Sequence, residues 1–222
     1  MNSIIVRNVF VIIISLFSFA TFAEPLNNSL LKKEIRQYHD SGEYEKELAQ
    51  KILQAQAFLI QQVQYHKEHK STKKLALVLD IDETSITNYD KIAKRDFAAN
   101  LEQIHQEILA ADSPALKPTL ALYNTALKNG VAVFFVTGRF NSELAATKKN
   151  LNDAGYNNWT GIYVRPDDYK QQSIIAFKAN SRKKIEDQGY LVVASIGDQY
   201  SDIKGGYALK GFKLPNPFYY IP

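Results

Sequence analysis

Leu75-Ala76-Leu77-Val78-Leu79-Asp80-Ile81-Asp82-Glu83-Thr84 is the stretch on which the fold turns. Its apolar run, Leu75 to Leu79, has no polar alternation, which suits a strand buried on both faces, as in a parallel sheet. The run ends on Asp80. Two more runs share this texture, Val131 to Val136 and Leu191 to Ile196, and a shorter one lies at Ile162 to Val164. Helical stretches stand between them: Pro118 to Lys128 before Gly130, Ser142 to Ala154 before Gly155, and Ser173 to Gln188 before Gly189. A glycine just past the last helical turn is the usual stop. Strands alternating with helices predict an α/β fold, a parallel sheet with crossover helices.

Upstream, good helix formers fill the segment from Leu30 to His69, with Leu48, Ile52, Ala55, Leu59 and Val63 recurring at three or four. This predicts one long amphipathic helix within an N-terminal helical segment, 24–72. Residues 1–23 read as a secretory signal: Arg7, an apolar run from Val9 to Ala20, and Thr21-Phe22-Ala23 before Glu24. A single domain, 24–222, is expected, since a chain of this length supports one well-buried core. The formal net charge is +4 and the basic residues form no long run, which favours a small anionic substrate over a nucleic-acid polymer. Cysteine is absent, so neither a disulfide nor a lipid-modified cysteine can form. The mature protein is expected in the periplasm or secreted, with no stable membrane anchor after signal cleavage. Nothing in the sequence opposes a homodimer.

In open parallel sheets ligands bind beyond the carboxyl ends of the strands. The residues there are Asp80-Ile81-Asp82-Glu83-Thr84, Thr137-Gly138-Arg139 and Gly197-Asp198-Gln199-Tyr200-Ser201-Asp202. An Asp or Thr at one strand end is ordinarily a cap or turn former. Three such clusters on successive buried strands converge, however, and crowded carboxylates are usually reconciled by a divalent cation. In extended chain, residues i and i+2 point the same way, so Asp80 and Asp82 can both face one site.

The order Asp-x-Asp-x-Thr, Thr-Gly-Arg, Lys, Gly-Asp-x-x-x-Asp resembles the four-motif signature of haloacid dehalogenase (HAD) superfamily phosphatases. The variant Asp80-Ile81-Asp82-Glu83-Thr84 is similar to that of class B/C (subfamily IIIB) acid phosphatases and plant vegetative storage proteins. The similarity extends through Lys178-Ala179-Asn180-Ser181-Arg182-Lys183-Lys184 and the closing Pro215-Asn216-Pro217-Phe218-Tyr219-Tyr220. It implies a HAD-like Rossmannoid sheet with a small helical cap and a Mg2+-dependent phosphomonoesterase. Asp80 would be the nucleophile that becomes an aspartyl-phosphate, and Asp82 the general acid and then base. Mg2+ would be held by Asp80, the backbone carbonyl of Asp82, and Asp198, with Asp202 holding one of its waters. Thr137, the Gly138 N–H and Lys178 would bind the phosphoryl group, and Arg139 would reach the phosphate or the far end of the substrate, or make a surface salt bridge.

Residues 85–117 would form the cap, with a helix from Arg95 to Ala110, and would set selectivity. Asn88 and Tyr89 lie just past the nucleophile segment, where Tyr89 reads as a packing aromatic or, as the alternative, as one that stacks on a nucleobase or aryl group of the substrate. His39, His66, His69 and His105 have no ligand spacing near the motifs and read as surface or packing residues. The same motifs fit a phosphotransferase, and the fold alone fits a non-catalytic storage or binding protein.

Overall fold

A computed structural model of the protein describes residues 25–221, so the leader expected over 1–23 lies outside the described residues. Five parallel strands form one sheet: β1 (Lys74–Leu79), β2 (Ala132–Phe140), β3 (Gly161–Arg165), β4 (Tyr190–Gly197) and β5 (Lys210–Lys213), in the order β3-β2-β1-β4-β5. β1 is central, so its end is flanked by those of β2 and β4. The Asp80 N–H donates to the Ile196 carbonyl at 2.9 Å, which ties the first polar cluster to the third.

The continuous apolar runs are explained by burial on both sides. Alternate residues of β1 and β2, Leu77, Leu79, Val133 and Phe135, join the larger core, while Ala76, Val78, Phe134 and Val136 join the smaller one. The larger core is closed by α2 (Glu43–Glu68), through Leu48, Ile52, Ala55 and Leu59, and by α5 (Lys117–Lys128), through Leu122, Tyr123 and Ala126. On the other face α7 (Ile175–Asp187) buries Ile185 against β1, β2 and β4. The remaining helices are α1 (Asn28–Asp40), α3 (Tyr89–Lys94), α4 (Leu101–Leu109) and α6 (Leu144–Asp153). No helix of the described residues is long and apolar enough to cross a membrane.

Three expectations need correction, and one strand was not anticipated. The single helix from Leu30 to His69 is two, α1 and α2, because Gly42 takes a left-handed conformation (φ 82°) after Ser41 and so turns the chain. The helix expected from Arg95 to Ala110 begins only at Leu101. Asp96 and Phe97 have positive φ (54° and 59°), and the Asn100 side chain caps α4 by accepting from the Gln103 N–H at 2.8 Å. The interruption is anchored from α1, where Lys32 and Arg36 both reach Asp96 and the Arg36 guanidinium lies 4.9 Å from the Phe97 ring centroid. β2 runs on through Thr137-Gly138-Arg139 to Phe140, its register with β3 shifting after Val136. The strand not anticipated is β5, a four-residue edge strand whose Lys-Gly-Phe-Lys sequence carries no apolar run to announce it.

Candidate active site

Asp80 stands one residue past β1, at the carboxyl edge of the sheet, and is 5% exposed. Its Oδ1 accepts from Lys178 Nζ at 2.8 Å, and Lys178 also contacts Asp202 Oδ1. α7 supplies Lys178, and the turn after β4 supplies Asp198 and Asp202. Carboxylate oxygens of Asp80, Asp198 and Asp202 all lie within 4.8 Å of one another, so these residues could hold a metal ion. The donors are all hard carboxylate oxygens, which suits Mg2+ better than a soft, thiolate-seeking ion.

The electrostatics agree with that reading. Burial pushes the Asp80 carboxyl well above the usual carboxylate range, with Asp202 adding to the rise and Lys178 opposing it. Asp198 is raised for the same leading reason, burial, followed by repulsion from Asp202. Burial works against the Lys178 charge, yet Asp202 and Asp80 outweigh it and hold the ammonium above its ordinary range. One lysine thus stands among three buried acids. A divalent cation there would favour the ionised form of all three.

The turn that holds these acids is itself fixed. Gly197 has no side chain because the Asp202 carboxyl occupies that space: a Cβ would lie 2.1 Å from the Asp202 carboxyl carbon. Arg182, which is buried, donates to the backbone carbonyls of Asp202 and Gly206 at 2.8 Å each and to that of Lys204. Thr84 Oγ1 donates to Asp198 Oδ1 at 3.1 Å and accepts from the Asp198 N–H at 3.0 Å. Asn216 and Gln199 each donate to Asp198 Oδ2 at 2.6 Å.

Asp82 has a different environment. Arg139 grips its carboxylate with two donors, Nε at 2.9 Å and Nη2 at 2.6 Å, and Asn88 Nδ2 adds a third at 2.8 Å. Burial would raise this carboxyl, but Arg139 and then Asn88 outweigh it and bring it below the usual range. Arg139, 3% exposed, therefore makes a salt bridge in the interior rather than at the surface. Glu83 has positive φ (52°) and is fully buried; burial, and next the Asp82 charge, push its carboxyl up to about 8. Its Oε2 accepts from Tyr219 OH at 2.9 Å.

These groups open on a cavity of about 640 Å3. Asp80, Asp82, Gly138, Arg139, Lys178 and Asp198 line its floor; Thr137 is fully buried, its Oγ1 accepting from the Arg139 N–H at 3.1 Å. The roof comes from α3, α4 and the turn between them, including Ile92, Phe97, Leu101 and Ile108. Tyr89 is outside the lining and stacks on His39 and packs against Phe218, the packing role expected of it. His39 is accordingly a packing residue, but His105 lines the cavity, its Nδ1 2.8 Å from Glu143 Oε1. Sequence reasoning also passed over Arg165 at the end of β3, which lines the cavity and was open to the same strand-end rule. Asn216 and Tyr219 stood in a motif with no role attached; their contacts depend on the C-terminal segment returning to the sheet edge.

Comparison with known proteins agrees with this architecture. The stem 28 kDa glycoprotein of Glycine max is 33% identical over 163 residues, covering 71% of this chain and 64% of that protein. Acid phosphatase 1 of Solanum lycopersicum is 31% identical over 148 residues, covering 65% and 58%. The chain thus spans less than two thirds of the length of these relatives. The structure of the class C acid phosphatase from Bacillus anthracis superimposes with a TM-score of 0.69 at 22% identity, covering 86% of each chain, which is a likeness of fold. Residues 20–222 match one family throughout, and the chain belongs to it: the HAD superfamily, subfamily IIIB (acid phosphatase).

Proposed function

We propose that the protein is an exported, Mg2+-dependent phosphomonoesterase that works through an aspartyl-phosphate on Asp80. The observation that carries the reading is the convergence of Asp80, Asp198 and Asp202 with Lys178 on one cavity floor that Asp82 also lines. Asp80 lies beside Lys178 and two further acids, Asp82 beside Arg139. An Asp80 oxygen attacks phosphorus in line, the phosphorus–oxygen bond to the leaving group breaks, and the leaving oxygen takes a proton from Asp82; Arg139 now holds Asp82 ionised, so Asp82 carries that proton only once substrate has loosened the grip of Arg139. Asp82 then removes a proton from the water that attacks the aspartyl-phosphate, releasing inorganic phosphate and restoring Asp80. Held by Asp80, Asp198 and the Asp82 carbonyl, with Asp202 beside them, Mg2+ would offset the repulsion between a carboxylate and a phosphate dianion. Lys178, Thr137 and the Gly138 N–H bind phosphoryl oxygens. Lys178 is already neutralised by Asp80 and Asp202, so its help to a phosphate depends on Asp80 turning to the phosphorus and Asp202 to the metal.

Residues 85–117 act as the cap: Ile92, Phe97, Leu101 and Ile108 face the floor across the cavity, and Asn88 alone reaches down to Asp82. The leader places the mature protein in the periplasm or outside the cell. The test is a phosphomonoester turnover screen on the purified mature chain. Activity should vanish with EDTA and return with Mg2+, and full activity in metal-free protein would overturn the mechanism.

A further inference from the structure

Four side chains of permanent positive charge line the cavity, and three of them are already engaged. Arg139 holds Asp82, Lys178 holds Asp80 and Asp202, and Arg95 Nε reaches Glu107 at 3.3 Å. Arg165 has no ion pair or side-chain hydrogen bond among the described residues, and its Nε is buried without a partner. It is nonetheless well placed. Its backbone pairs in register with Phe140, and its guanidinium lies 3.9 Å from the Phe140 ring centroid, so one face of the group rests on an aromatic surface. Glu143, the carboxylate whose charge bears on Arg165, is occupied: Oε1 faces His105 Nδ1, and Oε2 accepts from the Phe140 N–H at 2.7 Å.

A buried N–H without an acceptor is costly, and a guanidinium in a fixed plane offers paired donors that match two oxygens of a carboxylate or phosphate. At about 640 Å3 the cavity has room for more than a phosphoryl group. We propose that Arg165 is a second anion subsite, so that the preferred substrates are phosphomonoesters bearing another oxyanion away from the scissile phosphate. This rests on the phosphatase reading above. The rest of the lining sharpens it: Glu83, Glu102, Glu107 and Glu143 join the catalytic acids around the cavity, so a second anion gains nothing from the cavity as a whole and depends on Arg165 locally.

The experiment is a ladder of alkyl monophosphates of rising chain length, compared with the same chains ending in a carboxylate or in a second phosphate. At the chain length that reaches Arg165, wild-type kcat/KM should favour the doubly anionic ester by about tenfold or more, the range of a charge-assisted hydrogen bond. The arm with the larger ratio identifies the oxyanion. Arg165→Gln should bring that ratio to one or below, because the surrounding acids then repel the second anion, and Arg165→Lys should keep part of it. A wild-type ratio at or below one along the whole ladder, or a ratio unchanged in Arg165→Gln, overturns the proposal. Absence of turnover on the plain alkyl phosphates would instead sink the phosphatase reading. Calorimetric binding of the same ladder to the Mg2+-loaded Asp80→Asn variant then reads the subsite without turnover, and equal affinity for singly and doubly anionic chains would overturn it.

Discussion

Asp80, on the floor of the cavity, is 5% exposed and follows the central strand of the sheet; Leu101, which opens α4 in the roof, is 77% exposed, and α4 buries none of its residues. The floor is held by backbone pairing on both sides of β1 and by hydrogen bonds that fix each carboxylate. In the roof, α3 buries Tyr89 and Ile92 in the larger core, whereas α4 is held mainly by polar tethers, Lys91 to the Glu107 carbonyl, Arg95 to Glu107, and His105 to Glu143. A preorganised floor can stabilise charge that develops in a reaction without rearranging at that moment. A helix such as α4, with few buried apolar contacts, opens at lower cost than the whole fold. On the function proposed, chemistry common to all substrates belongs to the first, and admission and selection belong to the second.

The largest effect should come from breaking the floor. Asp80→Asn should lower turnover of every phosphomonoester by about a thousandfold or more, since an amide is a far weaker nucleophile. It should not cost stability in metal-free protein. The Asp80 carboxyl is raised by burial and by Asp202, so a neutral amide relieves a strain that the wild type carries, while Lys178 keeps Asp202. The expected Tm without metal is at or above that of the wild type, with less gain on adding Mg2+. A variant that retained a large share of wild-type rate would move the nucleophile elsewhere. One that lost both rate and metal-free Tm would make Asp80 a structural residue.

The floor and the roof also differ in how legible they were. Buried parallel strands write themselves as short apolar runs, and the strand-end rule then pointed to Asp80, Asp82, Asp198 and Asp202 without any tertiary information. Lys178 needed the resemblance, because a lysine on a helix is ordinarily solvated. In the roof the helical pattern through Arg95 to Ala110 was real, but Lys32 and Arg36 of α1 anchor Asp96 and so favour a turn there, a contact 60 residues or more away in the chain. Local propensity cannot report such an override. Arg165 was missed for another reason: β3 is half-buried along its length and its run is short, so its end drew no attention.

A smaller effect separates the two roles proposed for Asp82. A nitrophenolate leaves without a proton, whereas an alkoxide does not, so Asp82→Asn should still form the aspartyl-phosphate from nitrophenyl phosphate and then hydrolyse it slowly. The trace expected is a burst of about one nitrophenolate per site followed by a slow phase, with almost no burst from alkyl phosphates. Arg139 would keep one amide oxygen as acceptor in place of the carboxylate it now grips, so the variant must first be shown to fold and to bind Mg2+. Equal losses on both substrates, with no burst in either, would return the acid/base role to another group such as Asp202.

The smallest effect concerns the roof alone. Asn100 caps α4 through the Gln103 N–H, and removing such a cap costs a helix about 1 kcal/mol. Amide exchange in α4 should therefore be about fivefold faster in Asn100→Ala. Exchange in β1 should quicken as well, since global unfolding also releases the cap, so rate alone does not tell a loose roof from a rigid one. Denaturant dependence does. An opening confined to α4 exposes little surface and has a shallow slope against urea, whereas β1 amides exchange through global unfolding with the full slope. With no residue of α4 fully buried, its amides should show the shallow slope in wild type and variant alike. If they shared the steep slope of β1, the roof would open only when the floor does, and the division between a fixed chemical floor and a separately moving cap would be lost.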